Sequence, residues 1–217
     1  MSFLKELRAP TAPNLPLSPY EFDSRYQEGL NNVLRLYFNG LNNVFQSLLG
    51  PNGGQYIGCP NGLFFNTADQ TFAATNTAYP VVYNATYLNN AVALKSGSTS
   101  RIEVSIGGVY NFQYSGQLLS TNSSSKNVYL WIKRNNIVIG YSTHAYTLSS
   151  NNEYTEISWN FNIDLDAGEY LELEVASTDT NVRLDAVAAT SPHPGIPSSV
   201  MAVNFISPLP DPRPTPP

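Results

Sequence analysis

Charge is scarce in this chain. Asp, Glu, Lys and Arg make up 12% of its 217 residues, about half the ~25% usual for soluble domains. Asn, Ser, Thr and Tyr carry the polarity instead, which suits a surface packed against other protein or rich in hydroxyls. The net charge of −5 and pI near 4.9 argue against the electrostatic footprint that nucleic acid requires. Lys126, Lys133 and Arg134, the densest basic group, are too few to supply one, so no nucleic-acid partner is expected. The single cysteine, Cys59, excludes an internal disulfide framework. No apolar run approaches the ~20 residues of a membrane-spanning helix, so no membrane partner is expected. The start, Met1-Ser2-Phe3-Leu4-Lys5-Glu6, lacks the apolar core of a secretory signal, and synthesis in a cytoplasm is expected.

Catalytic residue types are equally sparse. His144 and His193 are the only histidines, and no Gly-x-Ser-x-Gly elbow precedes a helix. Cys59 sits in a plain Cys-Pro-Asn-Gly turn without a base in reach of the pattern. Asp164 and Asp166 alternate onto one side beside a turn, which reads as solvated acids before it reads as a calcium site. Glu172 and Glu174 lie two apart on a strand, hence on one exposed face, and no second wall of a glycosidase cleft is evident. No catalytic residue, metal or cofactor is expected. Tyr83, Tyr87, Tyr129, Tyr141, Tyr146 and Trp131 are candidates for a sugar-stacking surface, against the commoner roles of packing and subunit contact.

What is present falls into five segments. Residues 1–21 form an extended arm in which Pro10, Pro13, Pro16 and Pro19 recur every third residue, the repeat of a polyproline II helix. Such an arm loses little entropy on docking along a neighbour; a plain linker is the alternative. Residues 22–50 read as one helix. Leu30, Leu34, Tyr37, Leu41, Val44 and Leu48 follow the 4-3-4-3-4 spacing of a helix-association seam, widened by Val33, Phe38, Phe45 and Leu49. Asp23 and Ser24 offer caps, Ser24 with Gln27 has the form of a capping box, and Gly50-Pro51 stops the run. Association with copies of itself is expected, folding back over the following domain being the alternative. Residues 51–75 read as connecting loops around Gly-Pro-Asn-Gly turns. From 76 to 207 the period becomes two, as in Ile102-Val104-Ile106, Val128-Leu130-Ile132, Ile157-Trp159-Phe161-Ile163, Leu171-Leu173-Val175 and Met201-Val203-Phe205. About eight to ten strands separated by polar turns indicate an all-β antiparallel sandwich. Residues 208–217 are proline-rich and can form neither strand nor helix.

Gly107-Gly108-Val109-Tyr110-Asn111-Phe112-Gln113-Tyr114-Ser115 resembles the G-x-Y-x-F-x-Y-like strand of the tumour-necrosis-factor-like jelly roll, which complement globular heads share. Leu165-Asp166-Ala167-Gly168-Glu169-Tyr170-Leu171-Glu172-Leu173-Glu174-Val175 is similar to that family's penultimate region, and Ser199-Val200-Met201-Ala202-Val203-Asn204-Phe205-Ile206 to its last core strand. The resemblance covers roughly 76–207. It implies ten strands in two sheets and a homotrimer meeting along inner-sheet aromatics, for which Tyr110, Phe112 and Tyr114 are the candidates. The helix, from Tyr26 to Asn39, resembles a segment of virion proteins of tailed bacteriophages. Together these imply a non-enzymatic, trimeric capsid decoration (cement) protein in the virion. Its partners would be its own copies and the major capsid or other virion proteins, with the arm and helix as its anchor. A receptor-binding fibre head that contacts a host surface glycan or protein is the alternative, and a carbohydrate-active enzyme is a third reading.

Overall fold

The computed structural model describes residues 12–15, 17, 20–49 and 59–210. The chain divides into two compact units, Met1–Gly58 and Cys59–Pro217. Of the arm prolines, Pro13 is described and has no regular secondary structure, whereas Pro10, Pro16 and Pro19 lie outside the described residues.

Among its described residues the first unit holds one helix, α1 (Ser24–Leu49, 26 residues), about 39 Å long at 1.5 Å per residue. Asp23 is its cap. The Asp23 Oδ1 accepts from the Arg25 amide at 2.9 Å, and the Asp23 carbonyl accepts from the Gln27 amide at 3.1 Å. Ser24 is therefore already helical, and the carboxylate one residue earlier replaces the Ser24–Gln27 box. An acidic cap also complements the positive end of the helix dipole. The expected stop at Gly50-Pro51 lies outside the described residues. Leu30, Leu34, Tyr37, Leu41, Val44 and Leu48 are all partly buried, none fully, and Leu36, Phe38 and Phe45 are exposed. At 100° per residue the apolar positions from Val33 round to Phe38 span an arc of about 140°, broader than a two-helix seam needs. On the opposite side Arg35 donates to Asn32 Oδ1 at 2.9 Å, and Gln27 donates to Asn31 Oδ1 at 3.3 Å along the margin of the arc.

The second unit is built of antiparallel strands: β1 (Asn61–Asn66), β2 (Gln70–Thr71), β3 (Tyr79–Pro80), β4 (Ala85–Asn90), β5 (Val92–Leu94), β6 (Ile102–Val104), β7 (Gly108–Ser120), β8 (Lys126–Arg134), β9 (Ile137–Val138), β10 (His144–Leu148), β11 (Glu153–Leu165), β12 (Tyr170–Ser177), β13 (Val182–Leu184) and β14 (Ser199–Ser207). One sheet runs β2-β13-β7-β14-β1-β4, with β11 along the other side of β7. The second runs β10-β8-β12-β6-β5, with β9 beside β8 and β3 beside β12. The all-β, antiparallel expectation is therefore met. Both sheets contribute to one core: Phe64, Tyr110, Phe112, Met201 and Val203 from the first, Val104, Leu130, Leu171, Leu173 and Val175 from the second.

Three expectations need correction. The strands begin within 51–75, the segment read as loops: β1 lies between β14 and β4 and buries Phe64 completely. Its alternation is masked in the sequence because the outward neighbours Leu63 and Phe65 are also apolar. Tyr110, Phe112 and Tyr114 are buried inside their own sandwich, so a neighbouring subunit would not touch them; β7 presents Asn111, Gln113 and Ser115 outward instead. Glu172 and Glu174 are buried, not exposed, at 5% and 4% accessibility. Their strand is central, and Arg101, Ser100 and Lys133 close over them with ion pairs and a hydrogen bond.

Lys126, at the start of β8, is also buried. Its Nζ donates to Ser120 Oγ at 2.6 Å, to the Asn122 carbonyl at 2.8 Å and to Asn122 Oδ1, pinning the β7–β8 loop from inside. Lys126→Met removes three charge-assisted bonds from the buried loop and leaves the Asn122 carbonyl to Ser120 Oγ and Asn122 Oδ1 to Ser124. A loss of ~3 kcal/mol is expected, read as a lower urea midpoint with unchanged slope.

Candidate functional site

The residues considered for catalysis sit on separate elements. His144 packs on Trp159 with ring centroids 4.4 Å apart. His193 lies in a loop with Nδ1 3.0 Å from the Pro194 carbonyl. Cys59 is exposed, and its carbonyl accepts from the Asn61 and Asn90 amides at 2.9 and 2.8 Å. Asp164 and Asp166 face Arg134 at 3.6 and 4.0 Å, with Glu169 on the same guanidinium. Among the described residues, no group of three or more His, Cys, Asp or Glu side chains is placed to hold a metal ion. No helix among them is long and apolar enough to cross a membrane. The aromatic set proposed for sugars is not one surface. Tyr83 is buried in the core, Tyr87 is on β4 of the first sheet, and Tyr129 and Trp131 are on β8 of the second. Burial pushes the Tyr83 and Tyr114 hydroxyls above the usual phenol range.

The outer faces of the two sheets differ in chemistry. That of the second sheet is charged and internally paired: Lys95 with Glu103, Arg101 with Glu172, Lys133 with Glu174. Lys95 and Arg101 also stand over the Tyr170 ring, at 5.2 and 5.0 Å. These pairs occupy the part of the face over β6 and β12; Tyr129, Trp131, Ala145 and Thr147 on β8 and β10 make up an uncharged remainder.

The first sheet has no such cover. Across β11, β7 and β14 the register sets three outward rows: Ser158-Ser115-Val200, Asn160-Gln113-Ala202 and Asn162-Asn111-Asn204. None of the nine is charged. Asn111 Nδ2 donates to Asn162 Oδ1 at 2.8 Å, and Gln113 Nε2 to Asn111 Oδ1 at 2.8 Å, so the amides hold one another in fixed orientations. Small side chains at Ser115, Ser158, Val200 and Ala202 leave a shallow hollow of ≈ 440 Å³ between Gln113 and Asn160. Leu63 and Leu88, paired on β1 and β4, extend the face with apolar surface.

Beside this face the sandwich is open along its β11 edge. Trp159, Phe161 and Ile163 point inward by parity with Ile157 and Leu165, yet remain partly exposed. Trp159 packs on Phe161 at 4.6 Å, and Phe161 stacks on Phe112 at 5.4 Å with the rings 3° from parallel. The core therefore runs out to solvent as an aromatic seam. The sequence pattern located these side chains but could not say that no strand among the described residues covers them.

One end of the sandwich gathers both chain connections. Pro60 brings the chain in beside Phe205, whose amide donates to the Pro60 carbonyl at 2.9 Å, and Ser207 takes it out next to Val109. We call this end the base. It carries a cavity of ≈ 490 Å³, with Ile132, Ile137, Val138, Ile139, Phe161 and Ile163 as its apolar wall. Arg134, Asp164 and Glu169 form its polar rim. Ile137 and Val138 follow a tight turn in which Asn135 and Asn136 adopt φ of 48° and 67°, and they stand 73% and 54% exposed. The turn was legible as Arg134-Asn135-Asn136; the cavity was not, because its opposite wall comes from β11. No protein-family model and no curated protein sequence matches the chain.

Proposed function

We propose that this chain is a non-enzymatic structural protein of a virus particle, a homotrimer that decorates the capsid and is anchored through its N-terminal arm and helix. The observation that carries the self-association is the uncharged nine-residue patch on the outer face of the first sheet, set beside an aromatic seam at the sandwich edge. A patch of small apolar side chains, hydroxyls and amides that already bond one another costs less to desolvate than a charged one, and an exposed aromatic seam gains much on burial. Obligate contacts of this kind bury on the order of 2,000 Å² or more. The helix seam, partly buried along its whole length, offers further surface for like helices.

Strand order supports the jelly-roll reading. Count β1, β6, β7, β8, β10, β11, β12 and β14 as first to eighth. The first sheet then reads first-eighth-third-sixth and the second reads second-seventh-fourth-fifth. That interleaving is what two nested Greek keys produce. Three arms on one trimer would bind by avidity even if each docks weakly.

Light scattering is expected to give three chains per particle; a monomer at micromolar concentration would overturn the reading. Removing residues 1–21 is expected to leave a folded trimer that no longer attaches to capsids, measured by co-sedimentation. Retained attachment would show that the arm is not the anchor. Labelled protein distributed over the whole shell supports decoration, whereas a signal confined to a tail would favour the receptor-binding alternative.

A further inference from the structure

The buried amine of Lys126 faces a carboxamide that is arranged to react with it. We propose that Lys126 and Asn122 join through an intramolecular isopeptide bond, Nζ to Cγ, with release of ammonia. This self-modification goes beyond the function proposed above and does not depend on it.

The amine comes first. Lys126 is 1% exposed, a depth at which a lysine is ordinarily paired with a carboxylate. Its Nζ instead meets Ser120 Oγ at 2.6 Å, the Asn122 carbonyl at 2.8 Å and Asn122 Oδ1, all uncharged oxygens. Among the described residues no carboxylate makes an ion pair with it. A lysine amine in its neutral form is a nucleophile, and Asn122 wraps this one with both its main-chain and side-chain oxygens. Contact with Oδ1 puts Nζ beside Cγ, and two groups fixed together in this way react far faster than they would in solution.

The amide is held for attack. Asn122 Oδ1 also accepts from the Ser124 amide at 3.2 Å and from Ser124 Oγ at 2.8 Å. Those donors draw charge from Cγ and stay in place as Oδ1 becomes an oxyanion. The Nδ2 group donates to Asp179 Oδ2 at 3.2 Å. Asp179 is itself fixed: the Asn181 amide and Asn181 Nδ2 both reach its Oδ1 at 2.8 Å, and Ser124 Oγ lies 3.0 Å from its Oδ2. An amine, two oxyanion donors and a proton acceptor beside the leaving nitrogen therefore converge on one side chain.

The step balances without a further reactant. The neutral Nζ attacks Cγ, forming the new C–N bond and pushing the C=O electron pair onto Oδ1. Nζ then passes a proton to Nδ2 by way of the Asp179 carboxylate. The pair on Oδ1 returns, the Cγ–Nδ2 bond breaks, and Nδ2 leaves as ammonia. One amine and one primary amide become one secondary amide and one ammonia, and nothing is oxidised or reduced.

The intact mass of the denatured full chain is expected to fall about 17 Da, one ammonia, below the mass of its sequence. Trypsin is expected to pass over Lys126, whose side chain is now an amide, and to release one peptide from Ile102 to Lys133. A chain of full mass overturns the proposal. So does the same deficit with normal cleavage after Lys126, because a succinimide at Asn122 would then account for it. Lys126→Arg, which keeps a cation in place, and Asp179→Asn are both expected to show the full mass of their sequences, with near-ultraviolet circular dichroism unchanged. A deficit that persists in Lys126→Arg excludes this lysine, and one that persists in Asp179→Asn overturns the route through the carboxylate.

Discussion

Ala202→Arg is expected to convert a three-chain particle into single folded chains. Ala202 sits mid-row between Gln113 and the apolar margin at Leu63, inside the uncharged patch of three rows; Glu156 of β11, which accepts from Ser115 Oγ at 3.0 Å, lies one row beyond it. In the free subunit its side chain is only partly buried, so an arginine can extend into water and the fold should hold. Closing the same patch against a neighbour would bury that guanidinium among side chains that carry no charge. An unpaired buried charge costs several kcal/mol, and a symmetric trimer repeats the cost at every contact. Ala145→Arg is the matching control. Ala145 is exposed and pairs with Tyr129 on the outer face of the second sheet, outside the proposed contact, and its assembly should be unaffected. Light scattering reads the mass, and near-ultraviolet circular dichroism reads whether the aromatic core stays packed. A trimer that survives Ala202→Arg but is lost on Leu34→Asp with Leu41→Asp would move the contact from the sheet to the helix.

The architecture was legible where burial is one-sided and hidden where it is not. Ile102-Val104, Val128-Leu130-Ile132 and Leu171-Leu173-Val175 alternate cleanly because polar side chains stand opposite them, and each is buried as expected. At Leu63-Phe64-Phe65 the period vanishes because both faces of β1 are apolar, and a central strand reads as a loop. Glu172 and Glu174 misled in the opposite sense. A carboxylate on a strand reads as a solvent face, but cations on neighbouring strands can close over it, and which strands are neighbours is decided by topology. The candidate site was less legible still. The rows Ser158-Ser115-Val200 and Asn160-Gln113-Ala202 join residues more than forty positions apart, and nothing local marks them as one face. The helix needed no tertiary information: its seam and its acidic cap are both short-range features.

Phe112→Ala is expected to destabilise the sandwich by ~3–5 kcal/mol, a large share of the ~5–15 kcal/mol that holds a domain folded. Phe112 is fully buried on β7, stacked on Phe161 and paired in register with Val203 of β14. Truncating it opens a void where the two sheets meet and removes the inner support of the aromatic seam. Its neighbour Gln113 faces outward on the proposed contact, so Gln113→Ala should leave the unfolding midpoint of an isolated subunit nearly unchanged. The Ala202→Arg background supplies such subunits, which separates folding from assembly. In that background Phe112→Ala must lower the urea midpoint and Gln113→Ala must not. Equal midpoints for the two would return Phe112 to the subunit contact, the role that Tyr110, Phe112 and Tyr114 held on resemblance alone. A shift confined to Phe112→Ala instead fixes the parity of β7: aromatic side chains inward as core, amides and hydroxyls outward toward a neighbour.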